Sequence, residues 1–573
     1  MEASFWDGKR APGISDTVDF SEYGSVIEVV EKSFKNYADR AAFTSIGLTM
    51  TYADIDERSA AFASYLQNHT NLKPGDTIAI QMPNILQYPI AMYGAMRAGL
   101  IVTNTNPLYT EREMLHQFND SEAKALVCMD VFARSVQNVV ANTGIETVII
   151  TSLADMLPTA KRVLINFATK YVKKVVPAYS LPDSVSFRQA LKLGNAKPFI
   201  AVPPTGNDDT VILQYTGGTT GVAKGAELTN LNLVSNMLQA KQMMLQTDDS
   251  GNLVKGDKQS VVVAPLPLYH IYAFTVHLMA LCEQGEHSIL IANPRDTEMF
   301  IKMMKPWKLT TFVGLNTLFV SLMASPRFKE LDFSELKSTL SGGTALIPAT
   351  ANRWKEITGV GISEGYGLTE CAPVVAGNPG NGLERMGTVG QPVPGTSLKC
   401  IDDQGNEVAI GERGEICVRG PQVMKGYWKR PDASKDAFTE DGEWFRTGDV
   451  GIIDEDGFVS IVDRIKDMII VSGFNVFPNE IEGVVAEHPS VENCAVIGVP
   501  DEKSGEAVKL FVVTQDSNLT AEALKAFCKE NLTAYKLPRF IEFRDELPMT
   551  PVGKILRREL KDEEEAKRAT KAA

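Results

Sequence analysis

Apolar positions along this chain alternate between a period of two and a period near 3.6. Thr77-Ile78-Ala79-Ile80-Gln81-Met82 is a short β-forming run and predicts a strand. Residues 87–97 then predict a helix, with Pro89 tolerated in its first turn and Gly99 ending it. The pattern repeats with a strand at 100–103, a helix over 111–118 and a short buried strand at 125–129. Alternation of this kind predicts an α/β fold of layered, mostly parallel sheets.

The texture changes further along. Between Gly387 and Gly457 glycines are dense and strands short, as in Gly414-Glu415-Ile416-Cys417-Val418-Arg419-Gly420, which predicts a small β-rich subdomain. After Arg464 a compact α+β unit is predicted, with helices over 481–487 and 521–531 and strands at 494–499 and 509–514. The charged tail, 561–573, is expected to fray.

Two apolar stretches raise the question of a membrane. Residues 261–282 are uncharged apart from any protonated histidine, but Pro265, Pro267, His270 and His277 interrupt them. A buried strand, a turn and a buried helix are expected there rather than a spanning helix. Over 161–176, Leu164, Phe167, Ala168, Tyr171, Val172 and Val175 share one helical face, and Arg162, Lys170, Lys173 and Lys174 the other. A basic amphipathic helix of this type can lie on an anionic bilayer. Packing of its apolar face on its own domain is the first expectation.

Length and composition narrow the class. A chain of 573 residues exceeds one ordinary core, so about two to four domains are expected. With 44% hydrophobic and 22% charged residues it has the balance of a globular enzyme. A net charge of −14 argues against general nucleic-acid binding, which needs clustered Lys and Arg. The seven cysteines form no CxxC pair, which argues against a zinc site and a disulfide framework and for a reducing compartment. Met1-Glu2-Ala3-Ser4-Phe5-Trp6-Asp7 shows no basic-then-apolar leader, so a cytoplasmic address is expected.

The densest chemistry is at Tyr215-Thr216-Gly217-Gly218-Thr219-Thr220-Gly221-Val222-Ala223-Lys224-Gly225, after the apolar Val211-Ile212-Leu213. Glycines let backbone N–H groups turn toward an anion, threonines add hydroxyl donors, and Lys224 adds a charge. The spacing is neither a Walker A loop nor a dinucleotide fingerprint. It resembles the phosphate loop of the acyl-adenylate-forming superfamily, which includes acyl-CoA synthetases, luciferases and peptide-synthetase adenylation domains.

The superfamily's other motifs follow in order, from Thr51 to Lys554. Ser341-Gly342-Gly343-Thr344-Ala345 resembles the adenine-contacting segment. Glu364-Gly365-Tyr366-Gly367-Leu368-Thr369-Glu370 resembles the motif whose Tyr stacks on adenine, whose Thr contacts the α-phosphate and whose Glu helps hold Mg²⁺. An aromatic face suits a base and a carboxylate suits a hard cation. Asp449 and Arg464 resemble the ribose-binding pair, Lys466 the hinge and Gly473 the glycine beside the pantetheine channel. Pro548-Met549-Thr550-Pro551-Val552-Gly553-Lys554 resembles the loop of the catalytic lysine, which would offset charge on the α-phosphate. By the same resemblance His270, Tyr272 and Phe274 would line the acyl pocket. The block 441–482 is similar to the signature stretch of bacterial long-chain fatty acyl-CoA synthetases, with Glu443 as an extra residue before Trp444.

A competing motif is Gly361-Ile362-Ser363-Glu364-Gly365, which fits the nucleophile elbow of α/β-hydrolases and could close on His488. Residues 354–359 are a poor strand for an elbow to follow, so a serine hydrolase is a distant alternative.

The resemblance implies a large N-terminal domain of layered α/β sheets (1–463, with 387–463 β-rich), a hinge at 464–467 and a small mobile α+β domain at 468–573. It implies ATP-dependent ligation of a long-chain fatty acid to coenzyme A through an acyl-adenylate, with Mg²⁺. Alternatives are an aryl or medium-chain acyl-CoA ligase, a luciferase-like oxygenase, an enzyme loading a carrier protein, and a non-catalytic acyl- or nucleotide-binding protein. A homodimer and peripheral contact with the inner face of the membrane through 161–176 are compatible with it.

Overall fold

The computed structural model describes residues 3–12, 14–202, 206–216, 222–244, 258–380, 383–501, 503–550 and 553–572. Among them the chain builds four sheets. The first has eight strands. Thr77–Gln81 runs parallel to Ile101–Asn104 and Ala123–Met129, and Thr210–Thr216 runs parallel to Ile101–Asn104. The second has nine strands and includes the parallel set Val261–Ala264, His287–Leu290, Thr311–Gly314, Ser338–Gly342 and Ile362–Gly367. The strands buried on both faces, Ala123–Met129 and Val261–Ala264 among them, are written as nearly continuous apolar runs.

Helix starts follow their local signals. Tyr52–His69 begins at a capping box made by Thr51 and Asp54, and Glu111–Asp120 at one made by Thr110 and Glu113. Helix Phe187–Gly194 packs so closely on Tyr52–His69 that a Cβ at Gly194 would lie 1.8 Å from the Ala61 carbonyl oxygen. Trp354 is fully buried, with ring centroids of Phe319 at 4.7 Å, Phe312 at 5.0 Å and Phe328 at 5.3 Å.

The third sheet is four-stranded and antiparallel: Ser397–Ile401, Arg413–Arg419, Phe445–Ile453 and Val459–Arg464. The fourth, five-stranded, pairs Ile469–Val471, Phe474–Val476, Asn493–Asp501, Gly505–Val513 and Phe540–Arg544, with helices Pro478–Ala486 and Ala521–Asn531 alongside. It has an apolar core of its own around Ile481, Val485, Leu510 and Leu524.

Residues 261–282 form strand Val261–Ala264 and then a helical run from Ile271 to Glu283 with a π-helical middle, Phe274–Ala280. No helix among the described residues is long and apolar enough to cross a membrane.

Two expectations are corrected. Of the tail expected to fray, the described residues 561–572 belong to the helix Arg557–Ala572. It buries Leu560, and Glu563 and Glu564 pair with Arg544 and Lys509. The segment 161–176 is helical over Thr159–Phe167 and Ala168–Val172, but its apolar face is not packed on the domain. Leu164 is 68% exposed, Val172 69%, Tyr171 59% and Phe167 55%. The body is held through polar positions instead: the Ala154 N–H donates to Asn166 Oδ1, and Asn166 Nδ2 donates to Asp155.

Candidate active site

The carboxyl ends of the parallel strands in the nine-stranded sheet open into a cleft, as expected for layered α/β folds. Ser338–Gly342 and Ile362–Gly367 deliver Gly342, Gly343 and Tyr366 to its wall. Gly342 sits close under Tyr272: a Cβ there would meet the ring at 3.2 Å, and the ring would have to shift. Gly343 turns the chain with φ +84.

Strand Thr210–Thr216 and strand Lys224–Thr229 form an antiparallel hairpin, with Thr216 opposite Lys224. The segment expected to bind phosphate runs between them in the sequence. Gly217, Gly218, Thr219, Thr220 and Gly221 lie outside the described residues, as do Pro551 and Val552 near Lys554. At the loop's exit His116 Nε2 lies 2.8 Å from the Ala223 carbonyl oxygen.

The antiparallel register of Phe445–Ile453 on Val459–Arg464 sets Asp449 directly opposite Arg464. Arg464 Nε lies 3.1 Å from Asp449 Oδ1, and the Tyr366 hydroxyl donates to Asp449 Oδ2 at 2.5 Å. Thr369 and Glu370 start the short 3-10 turn Thr369–Cys371 on the same side of the cleft.

Lys554 comes from the fourth sheet's side of the chain and enters this cleft. Its Cε would lie 3.6 Å from a Cβ at Gly343. The loop is closed by the Thr550 N–H, which donates to the Lys554 carbonyl, and by the Lys554 N–H, which donates to Thr550 Oγ1. Burial, and then Arg464, push the Lys554 ammonium down to about 8. Lys466 is lowered too, by burial and then by Arg464. Burial, and secondarily Lys554, push His270 down to about 3, so its imidazole is neutral. Burial raises Glu364 to about 7 although the Leu346 N–H donates to its Oε1 at 2.9 Å.

His270 and Tyr272 line the cleft, whereas Phe274 is fully buried in the core behind it. Gly473 has φ +83 with open space around it and lies off the cleft wall, so its glycine answers to backbone conformation in this arrangement. Ser363 sits inside a strand and donates to the Pro379 carbonyl at 3.3 Å. His488 belongs to the fourth sheet's unit, where its ring meets Phe527 edge-on. The serine-hydrolase geometry is therefore absent among the described residues.

Several residues at the site carry no signal in the sequence. Tyr427 donates to Glu370 Oε1 at 2.8 Å. Asp120 accepts from the Tyr215 hydroxyl at 2.7 Å and pairs with Arg430 at 2.6 Å, which ties the phosphate-loop strand to the segment around Tyr427. Arg557 donates to Asn479 and Glu482, each at 2.7 Å, just after Lys554. Asn479, equally silent in the sequence, donates its N–H at 2.7 Å to Asp463, the residue before Arg464 in the ribose-binding motif, which burial raises to about 6. These partners are far apart in the chain, and no periodicity or motif connects them.

Among the described residues no cluster of three or more His, Cys, Asp or Glu side chains could hold a metal. A lone carboxylate, Glu370, suits Mg²⁺ that arrives with nucleotide phosphates, since Mg²⁺ keeps waters and takes few protein ligands.

Residues 30–428 match the family described as AMP-binding enzyme, and residues 480–554 match the AMP-binding enzyme C-terminal domain. The long-chain-fatty-acid–CoA ligase of Yersinia pestis is 50% identical over 566 residues, covering 99% of each chain. The crystal structure of the anthranilate CoA ligase AuaEII with anthranoyl-AMP superposes with a TM-score of 0.82 at 24% identity, covering 95% of this chain and 98% of that one. ATP-bound MatB from Rhodopseudomonas palustris superposes with a TM-score of 0.78 at 28% identity, covering 94% and 98%.

Proposed function

Since the chain belongs to the AMP-binding enzyme family, we propose that it ligates a long-chain fatty acid to coenzyme A through an acyl-adenylate. The observation that carries this is the convergence of Lys554, Glu370 and the Asp449–Arg464 pair on one cleft. The mutual influence of their charges is visible at Lys554, which Asp449 and Glu370 draw up and Arg464 draws down. The substrate class rests on relatives of matching length that carry the long-chain name.

In the first step the fatty-acid carboxylate attacks the α-phosphorus of ATP and pyrophosphate leaves. Lys554 offsets the charge that builds on the attacked phosphate. Thr369 donates to a phosphate oxygen, Asp449 and Arg464 hold the ribose, and Tyr366 flanks the base. Phosphates are cradled by 216–221 and Lys224. Glu370 would hold Mg²⁺, which supplies Lewis-acid neutralisation of the phosphates when bound. His270, being neutral, faces the acyl carboxylate without adding a charge.

In the second step the coenzyme A thiol attacks the acyl carbonyl and AMP leaves. Division of the chain into 1–463 and 468–573, joined at 464–467, lets the smaller unit turn about Lys466. Lys554 then withdraws and Gly473 comes to the thiol channel, so two chemistries share one site.

Peripheral contact with the inner face of a membrane through 161–176 belongs to the same proposal. A lipid-dissolved substrate suits an enzyme whose exposed apolar helix is flanked by Lys161, Arg162, Lys170, Lys173 and Lys174.

The test is pyrophosphate release from ATP and Mg²⁺ across acids from acetate to oleate, with and without coenzyme A. Coenzyme-A-dependent turnover peaking at long chains is expected. A peak on aryl or short acids would discard the substrate, and no turnover with any acid would discard the ligase.

A further inference from the structure

Tyr427 stands between two groups of opposite charge that the nucleotide needs. Its hydroxyl donates to Glu370 Oε1 at 2.8 Å, and the Lys224 ammonium lies over its ring, 4.9 Å from the centroid. The backbone fixes it there from both sides. Gly426–Tyr427 pairs with Lys224–Thr229, with Tyr427 opposite Ala226. The Trp428 N–H donates to the Gly225 carbonyl at 2.8 Å, and the Met424 N–H to the Glu370 carbonyl at 2.7 Å. The Tyr427 N–H itself donates to Ser434 Oγ at 2.8 Å. One short segment therefore grips both the exit of the phosphate loop and the turn that carries Glu370.

The physical consequence arises before ATP binds. A lysine and a glutamate on facing walls of a cleft attract one another, and a direct pair would have to break before phosphates and cation could bind. Tyr427 gives each a partner that leaves it in place. The ring face takes the ammonium and the hydroxyl takes one carboxylate oxygen.

We propose that Tyr427 is a positioning residue that holds Lys224 and Glu370 apart and aimed for magnesium-bound ATP. This rests on the ligase reading above and adds a residue that none of the motifs contains.

The experiment is a double-mutant cycle read by calorimetry, using a non-cleavable ATP analogue with and without Mg²⁺. Tyr427→Phe keeps the ring and removes only the hydroxyl. It is expected to weaken analogue binding about tenfold in Mg²⁺, the scale of one hydrogen bond to a charged group, and by much less without Mg²⁺. In a Glu370→Gln background the same change is expected to have little further effect, because the hydroxyl acts through Glu370. Thermal melting of Tyr427→Phe should fall by no more than about 2–4 °C, as for one lost hydrogen bond in a chain of this size. Additive losses, equal losses with and without Mg²⁺, or no loss at all would overturn the proposal. Wild-type pyrophosphate release separates the two levels: turnover with an additive cycle removes only the role of Tyr427, whereas no turnover with any acid removes the ligase reading.

Discussion

The Tyr366 hydroxyl donates a 2.5 Å hydrogen bond to Asp449, 83 residues further along the chain. The strand of the nine-stranded sheet that ends at the cleft is thereby tied to the four-stranded sheet, and Asp449 keeps a fixed orientation beside Arg464. Tyr366→Phe leaves the ring and removes the tie. The KM for ATP should rise roughly tenfold, as for one lost hydrogen bond to a carboxylate, while the KM for the fatty acid stays level. Steady-state kinetics with each substrate varied in turn checks this, and equal changes in both would argue for general disorder of the site.

Lys554→Ala should lower acyl-adenylate formation by about two to three orders of magnitude, as for other charge-stabilising groups. Thioester formation from a supplied acyl-adenylate should be nearly intact, because that step does not use the lysine. Quenched-flow pyrophosphate release and acyl-CoA formation from synthetic adenylate measure the two halves separately.

A lysine held near 8 carries its proton below that pH and loses it above. Since the charged form does the stabilising, kcat/KM for ATP, which reports the free enzyme, should fall as pH rises through about 8. The sign is fixed by the charge needed: a group acting as a base would give a rise. Lys554→Arg keeps its charge to far higher pH, so whatever activity it retains should lack this alkaline limb.

Leu164, Phe167 and Tyr171 bury little against the protein. Replacing Leu164 and Phe167 by Glu should leave melting unchanged and lower flotation with vesicles containing anionic phosphatidylglycerol by tenfold or more, given several hundred cal/mol to a few kcal/mol per apolar side chain. Turnover on detergent-dispersed oleate should be unaltered. A melting temperature lowered by the pair would show that the face is covered by the protein after all.

Gly194→Ala should destabilise by about 1–3 kcal/mol, the range for forced overpacking, because the new Cβ runs into the Ala61 carbonyl where two helices touch. Denaturant unfolding followed at the first sheet would detect the loss; an unchanged midpoint would mean the helices separate freely there.

What the chain determines locally is legible in it. The alternating run at 77–82, the continuous apolar run at 125–129 and the helices at 87–97 and 521–531 are strands and helices because side-chain spacing acts within a few residues. The α/β class follows from their alternation. The family motifs are legible for a related reason: each is a short segment whose glycines, hydroxyls and charges must be adjacent to hold a phosphate or a base. The fate of 161–176 was not legible, since an amphipathic pattern is the same whether its apolar face meets a protein, a lipid or water. Nor was the tail, whose charges find partners on strands Gly505–Val513 and Phe540–Arg544 only once the sheet is built. Tyr427 against Glu370 and Lys554 against Gly343 were decided by tertiary structure alone. A strand register and a docked loop bring them together, and no local rule in the sequence encodes a meeting between residues so far apart in the chain.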